Sequence, residues 1–180
     1  MTGTLSSIQA ICTMTSIGYS EIAPSYHELH KEEQLEKLRL VLPYLKLKKN
    51  ALILDIGCAT GLSSFLLSCN KVGLDSSMEM LRHAPDDMDK VCGLAETLPF
   101  KHHCFDAVIC LTAIHNFADF RSAIAEMKRV SKGSVVVSVL KRSKRYEAIM
   151  NALTKGLLID KELESDKDTI LICKIAIPKQ

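Results

Sequence analysis

The stretch ALILDIGC, Ala51 to Cys58, limits the fold more than any other part of this chain. It is short, aliphatic almost throughout and lacks the apolar–polar alternation of a strand with one wet face, which is the pattern of a parallel strand covered on both sides. A polar break, Lys46 to Asn50, precedes it, and Gly57 and Gly61 bracket a turn directly after it. Such a strand needs helices to cover it, and the chain supplies them in alternation. Leu35, Leu38, Leu42 and Leu45 recur at three and four positions, so a helix is expected over His30 to Leu45, kinked or ended by Pro43. LSSFLLSC reads as a helix after the glycine turn. Strand Lys71 to Leu74, helix Ser77 to His83, strand Val91 to Leu94 and, past the loop Lys101 to Cys104, strand Phe105 to Cys110 follow. A helix over about Ala118 to Val130 turns Phe120, Ile124 and Met127 inward and is stopped by Ser131-Lys132-Gly133. Strand Ser134 to Leu140, a helix near Lys144 to Thr154, and the extended runs GLLIDKELES and TILICKIAI, hinged at Asp166-Lys167-Asp168, complete the pattern. The expected fold is α/β, a doubly wound, mostly parallel, seven-stranded Rossmann-like sheet with an antiparallel C-terminal hairpin strand. Residues 1–18 read as a loose tail, with Met14 as a second candidate start, and 19–180 as a single domain.

Composition narrows the function classes. Lys and Arg number 23 against 21 Asp and Glu, and a net charge of +2 gives no field that would draw DNA. Seven Cys with no C-x-x-C pair support neither a disulfide framework nor a zinc ribbon, and fit a reducing cytosol. No apolar stretch approaches the roughly 20 residues of a spanning helix. Residues 1–18 contain no Lys or Arg, so the positive region of a signal peptide is missing.

In a doubly wound sheet ligands bind beyond the carboxyl ends of the strands, which directs attention to the first turn, Asp55-Ile56-Gly57-Cys58-Ala59-Thr60-Gly61. It sets an acid at a strand end and glycines where a ligand must approach backbone. A second acid, Asp75, ends the next strand in VGLD, about where a ribose-binding carboxylate belongs. Either acid alone reads equally well as a turn or cap residue. Nicotinamide enzymes prefer G-x-G-x-x-G and no anion near the pyrophosphate. Asp55 would repel a pyrophosphate and attract the ammonium of an amino-acid moiety, as in S-adenosylmethionine, so the electrostatics favour a methyl donor over a dinucleotide.

LILDIGCATG, VGLDSSMEML, GLAETLPF, FDAVICLTAIHNF and RVSKGSVVVSVL resemble, in order, the successive motifs of class I S-adenosylmethionine-dependent methyltransferases, the type 11 subgroup that includes ubiquinone and menaquinone methyltransferases. The resemblance runs from about Tyr19 to the terminal hairpin. It implies that Asp55, Gly57, Cys58, Ala59 and Gly61 line the methionine part, Asp75 and Ser76 face the ribose and adenine, and Met80 packs near the nucleoside. It further implies that Leu94 and Ala95 border the adenine, Leu111 the methionine end, and that Tyr26 in SYHEL covers the cofactor. Three positions depart from the family pattern. Ala59 stands where a third glycine is common and Ser76 where an apolar residue is usual. Leu94 replaces an Asp and cannot accept a hydrogen bond, a loss of about 0.5 to 1.5 kcal/mol unless Glu96 or a carbonyl replaces it.

Methyl transfer from a sulfonium is an in-line displacement, so positioning and desolvation can carry it without a triad. His115 in TAIHNF lies just past the fourth strand, in reach of an acceptor proton, or else packs at the start of the next helix. His102, His103 and Cys104 lack a fourth ligand at metal spacing and read as a solvated loop, and Cys58 as a small residue filling the turn. Lys141, Arg142, Lys144 and Arg145 follow the fifth strand at a helix N-terminus, where cations oppose the dipole by about 0.3 to 1 kcal/mol each. An anionic substrate group would relieve that conflict; a solvated surface run is the other reading. The acceptor is therefore open between a small molecule, RNA and protein, although no aromatic-interleaved RNA module is present. With so short a lid, an activator subunit is a further expectation. A cofactor-binding relative without turnover and a nicotinamide oxidoreductase are the alternatives.

Overall fold

The computed structural model describes residues 23–176, with side chains over 31–176 apart from Ser64. The N-terminal tail expected at 1–18 lies outside the described residues. Seven strands form one sheet: β1 (Leu52–Ile56), β2 (Asn70–Asp75), β3 (Asp89–Cys92), β4 (Phe105–Cys110), β5 (Ser131–Leu140), β6 (Leu158–Glu164) and β7 (Asp168–Lys174), in the order β3-β2-β1-β4-β5-β7-β6. β1 to β5 are parallel, and β7 runs antiparallel to both β5 and β6. The order reverses between β1 and β4, so the first turn opens at the switch point of the sheet.

Both faces of the sheet are covered, as the aliphatic strands require. On one face Leu54, Ile56, Val108, Val135 and Val137 pack with Phe120, Ile124 and Met127 of α3 (Phe120–Val130) and Ile149 and Leu153 of α4 (Tyr146–Gly156). On the other, Ile53, Ala107, Ile109, Val136, Ile170 and Ile172 meet Leu38, Val41 and Leu45 of α1 (Ala23–Leu45). Val41, fully buried, takes the inward position that the spacing assigned to Leu42, which is half-buried. Pro43 is accommodated in the last turn of α1, which ends at Leu45. Under α2 (Met78–Arg82) a small cluster joins Cys58, Leu81, Ala84 and Met88.

The helix expected at LSSFLLSC is a single 3-10 turn, Leu62–Phe65. Gly61 before it sits at φ 71, the Ser63 hydroxyl is drawn to Asp55, and Leu66 N–H closes back on the Ser63 carbonyl at 3.2 Å. β5 begins at Ser131, immediately after α3, so Ser131-Lys132-Gly133 ends a helix and opens a strand at the same point. β3 ends at Cys92, so Leu94 and Ala95 lie in the connection after it. The exposed edge strand β6 carries Asp160, Lys161, Glu162 and Glu164 among its seven residues, charges that discourage edge-to-edge pairing.

Candidate active site

The ends of β1 and β2 bring two carboxylates to one end of the sheet. Asp55 is 5 % exposed and its carboxylate takes the Ser63 hydroxyl hydrogen bond; no cation pairs with it among the described residues. Burial, with a smaller push from the negative charge of Asp75, raises its pKa to about 7 against the Ser63 bond. Asp75 clasps the backbone: Oδ2 accepts the Ala59 N–H at 2.9 Å and Oδ1 the Ser77 N–H at 2.8 Å. Burial raises its pKa, and those amide donors hold the rise in check.

The turn between the acids needs left-handed backbone three times. Gly57 and Gly61 both sit at φ 71, and Ala59 at φ 48. A Cβ placed on Gly57 would stand 2.4 Å from the Cβ of Ala113, so the loop after β4 lies directly against it. Gly57 and Cys58 donate to the Leu74 carbonyl at 2.8 and 3.2 Å, tying the turn to β2. Ala59 meets no relief from its methyl group, which makes left-handed backbone about 1 to 2 kcal/mol costlier than for glycine. Ala59→Gly is accordingly expected to raise stability by about 1 kcal/mol and leave cofactor affinity within about twofold, measured by chemical denaturation and calorimetry; a destabilised variant would contradict the strain.

Cys58 is buried and its thiol pKa is pushed well up, chiefly by burial, so it fills the turn as an inert residue. The Thr60 hydroxyl is buried with no hydrogen-bond partner among the described residues. Met80 is 2 % exposed, with its N–H on the capping Ser77 hydroxyl at 3.3 Å. Ser76 is half-buried beside Asp75. Past β3, Ala95 is buried and Leu94 half-buried, and the Leu94 carbonyl accepts the Thr97 N–H at 3.3 Å. Glu96 Oε1 accepts the Asp119 N–H at 3.2 Å, which ties this connection to the N-terminus of α3. Leu111 is half-buried against the α1 side of the core. The backbone of Tyr26 lies in α1; its side chain is outside the described residues.

His115 lies in a 3-10 turn, Ile114–Asn116, beyond β4, partly exposed but with Nδ1 buried and without a hydrogen-bond partner among the described residues. Burial lowers its pKa, opposed by Asp168 and reinforced by Lys37, Arg145 and Arg142, so the imidazole is neutral at pH 7.

The basic run divides. Arg145 is structural, its guanidinium donating to the carbonyls of His115, Phe117 and Ala118 at 3.2, 2.5 and 3.3 Å and lying over the Phe120 ring. Lys141 pairs with Glu164 at 2.5 Å and bonds the Ser165 carbonyl at 2.8 Å. Arg142 and Lys144 are exposed. His103 Nδ1 meets the Ser131 carbonyl at 2.9 Å, and no group of His, Cys, Asp or Glu able to hold a metal exists among the described residues. No described helix is long and apolar enough to cross a membrane.

One cluster at this edge carries no motif. Lys37 of α1, 1 % exposed, pairs with Asp168 at 2.5 Å and Glu33 at 2.7 Å and donates to Thr112 Oγ1 at 2.7 Å. The only hint of burial in the sequence is its phase: Lys37 falls one helical repeat before Val41 and two before Leu45.

Against known proteins, residues 54–138 match a family described as a methyltransferase domain. An uncharacterised protein of Methanocaldococcus jannaschii is 35% identical over 116 residues, 63% of this chain and 46% of that protein. A demethylmenaquinone methyltransferase of Corynebacterium glutamicum is 37% identical over 92 residues, 49% of this chain and 40% of its own. The chain thus spans about half the length of the curated relatives it matches. In fold it is similar to a methyltransferase from Haloferax volcanii solved in complex with the Trm112 methyltransferase activator: TM-score 0.72, 16% identity, covering 87% of this chain and 96% of that one.

Proposed function

Because this chain belongs to the class I S-adenosylmethionine-dependent methyltransferases, we propose that it binds S-adenosylmethionine between Asp55 and Asp75 and transfers its methyl group to an acceptor held beyond β4 and β5. The observation that carries this reading is a buried carboxylate with no cation among the described residues, Asp55, one strand away from a second carboxylate that shapes the glycine turn between them. A buried acid lacking a counter-charge suits an ammonium ligand. The Thr60 hydroxyl in the same turn, without a hydrogen-bond partner among the described residues, adds a polar atom open to a ligand.

When bound, the cofactor supplies an electrophilic methyl group on a sulfonium. Asp55 holds the ammonium, and the outward lone pairs of Asp75 take the ribose hydroxyls while its amide bonds keep the turn in place. Gly57 and Gly61 allow the backbone its left-handed course. Met80, Ser76, Leu94 and Ala95 border the base, which gains no side-chain acceptor from Leu94, so the adenine is held by packing more than by hydrogen bonds. Neutral His115 accepts a proton from an acceptor that must lose one, and Arg142 and Lys144 are the cations left to attract an anionic acceptor. Charge reversal at Arg142 and Lys144 separates an anionic acceptor, on which activity is lost, from a neutral hydrophobic one, on which it is kept. An activator subunit is proposed from the Haloferax volcanii neighbour, which was solved in complex with one.

The test is calorimetric titration of S-adenosylmethionine, S-adenosylhomocysteine and NAD, with Asp75→Ala as control. Binding of the two sulfur compounds, lost by at least about 100-fold in the variant, is expected from removal of charge-assisted hydrogen bonds together with the clasp on the turn. Binding of NAD in their place would overturn the assignment. Cofactor binding with no labelled-methyl transfer to any cell fraction, with or without added extract, would instead favour a relative without turnover.

Asp55 also gives the binding a pH dependence. Only its ionised form attracts an ammonium, and with a pKa of about 7 that form grows as pH rises. Affinity for S-adenosylhomocysteine is expected to increase about tenfold between pH 6 and pH 8, where a flat profile would mean that Asp55 does not meet the ammonium.

A further inference from the structure

Thr112 is the residue immediately before Ala113, whose Cβ abuts Gly57, and it stands three positions before His115. It sits at φ 57, a left-handed conformation that a β-branched residue adopts only when its surroundings impose it. The surroundings are explicit. Its N–H donates to Ser138 Oγ at 2.7 Å, and its hydroxyl accepts from Lys37 Nζ at 2.7 Å and lies 3.4 Å from Asp168 Oδ1. Ser138 Oγ also lies 3.4 Å from Asp168 Oδ1. Ser138 and Asp168 are wholly buried and Lys37 is 1 % exposed, so four elements, α1, the end of β4, β5 and the start of β7, converge on one threonine. On its far side Arg145 fixes the carbonyls of His115, Phe117 and Ala118. The turn is held from both ends, and Lys37, Asp168 and Arg145, three of the side chains that hold it, lie outside the cofactor motifs.

We propose that Lys37, Asp168 and Ser138 are positioning residues that act through Thr112: they impose its left-handed turn and thereby seat Ala113 against Gly57 and direct His115 toward the acceptor. The ion pair is buried next to the reacting edge because a turn that strains a β-branched residue needs charge-assisted bonds to hold it, and a neutral bond would hold it less firmly. This inference rests on the reading of that edge as a methyl-transfer site, and its test separates the two.

The test uses the full chain with Thr112→Val, which keeps shape and β-branching and removes the hydroxyl, and Thr112→Ser, which keeps the hydroxyl. Ser138→Ala removes the acceptor of the Thr112 N–H and serves if the valine variant does not fold. Affinity for S-adenosylhomocysteine is read by calorimetry and the His115 ring by its 1H–13C resonance. Thr112→Val and Ser138→Ala are expected to move the His115 resonance and weaken binding about tenfold, as loss of a buried hydrogen bond predicts, with Thr112→Ser close to the parent in both. An unmoved resonance in Thr112→Val, or a serine variant as impaired as the valine one, overturns the proposal. If the parent chain fails to bind S-adenosylhomocysteine, the methyltransferase reading fails, and the resonance still decides whether the hydroxyl positions His115.

Discussion

Gly57→Ala is expected to destabilise the protein by about 2 to 5 kcal/mol, the sum of about 1 to 2 for left-handed backbone at an alanine and about 1 to 3 for forcing a methyl group into a filled space. Both parts arise at one atom: φ is 71, and the added Cβ would stand 2.4 Å from that of Ala113. At this chain length the thermal midpoint should fall by roughly 5 to 15 °C. The two parts can be separated by experiment. Gly57→Ala with Ala113→Gly removes the clash and leaves the backbone cost, so the double variant should recover about half the loss and melt between the parent and the single variant. S-adenosylhomocysteine binding should be undetectable in the single variant, whose turn must move away from Asp55. A single variant that melts with the parent would show that Gly57 does not hold this conformation.

Lys37→Met should cost about 3 to 5 kcal/mol, because it leaves Asp168 charged and buried with its cation gone. The remedy is to remove the charge as well: Lys37→Met with Asp168→Leu leaves an apolar pair of similar volume, and such replacements for buried ion pairs are often neutral. Most of the loss should return, short of the part that belongs to Glu33 and Thr112, which lose Lys37 in either case, and to Ser138, which loses Asp168 in the double variant. Denaturation midpoints of the four proteins check this, and two independent, additive losses would show that the groups do not meet. The pair also leaves a mark at acid pH. Burial would raise the Glu33 pKa, yet Lys167 and Lys37 bring it from 4.5 to about 2. A carboxylate with a depressed folded pKa contributes stability that is present above pH 4.5 and lost as pH falls toward 2, so acid unfolding in that window should be shallower in Lys37→Met.

Much of this molecule can be read from its letters, and the exceptions have physical reasons. β4 spans Phe105 to Cys110 as expected, because Ala107, Val108, Ile109 and Cys110 are consecutive apolar residues buried on both faces of the sheet. LSSFLLSC forms a single 3-10 turn, Leu62–Phe65, and its Ser63 hydroxyl bonds Asp55 on another element, a contact that no local pattern records. Gly133 lies in the segment where α3 stops, as expected, and has a second role that no local pattern shows, since an added Cβ would lie 2.3 Å from the Asp106 carbonyl oxygen. At the site, Asp55, Asp75 and the glycines announce themselves by spacing along one strand-turn-strand segment. Lys37 and Asp168 do not, for their meaning depends on a contact between chain segments far apart in sequence. Arg145 shows the same limit in the other direction, since its place in a basic run pointed to a ligand and its guanidinium serves three backbone carbonyls.

The bond between α1 and the first residue of β7 sets an order of assembly. Lys37 cannot be buried at low cost until Asp168 is in place, and Asp168 belongs to the hairpin that the chain forms last from its N-terminus. A chain emerging N-terminus first therefore completes β1 to β5 while the helix made earliest still lacks its counter-charge on the sheet. Burial of Lys37, and with it the final seating of α1 over Ile53, Ala107, Ile109 and Val136, is expected to wait for the terminal hairpin, and late protection of α1 in pulsed hydrogen exchange during refolding would check it.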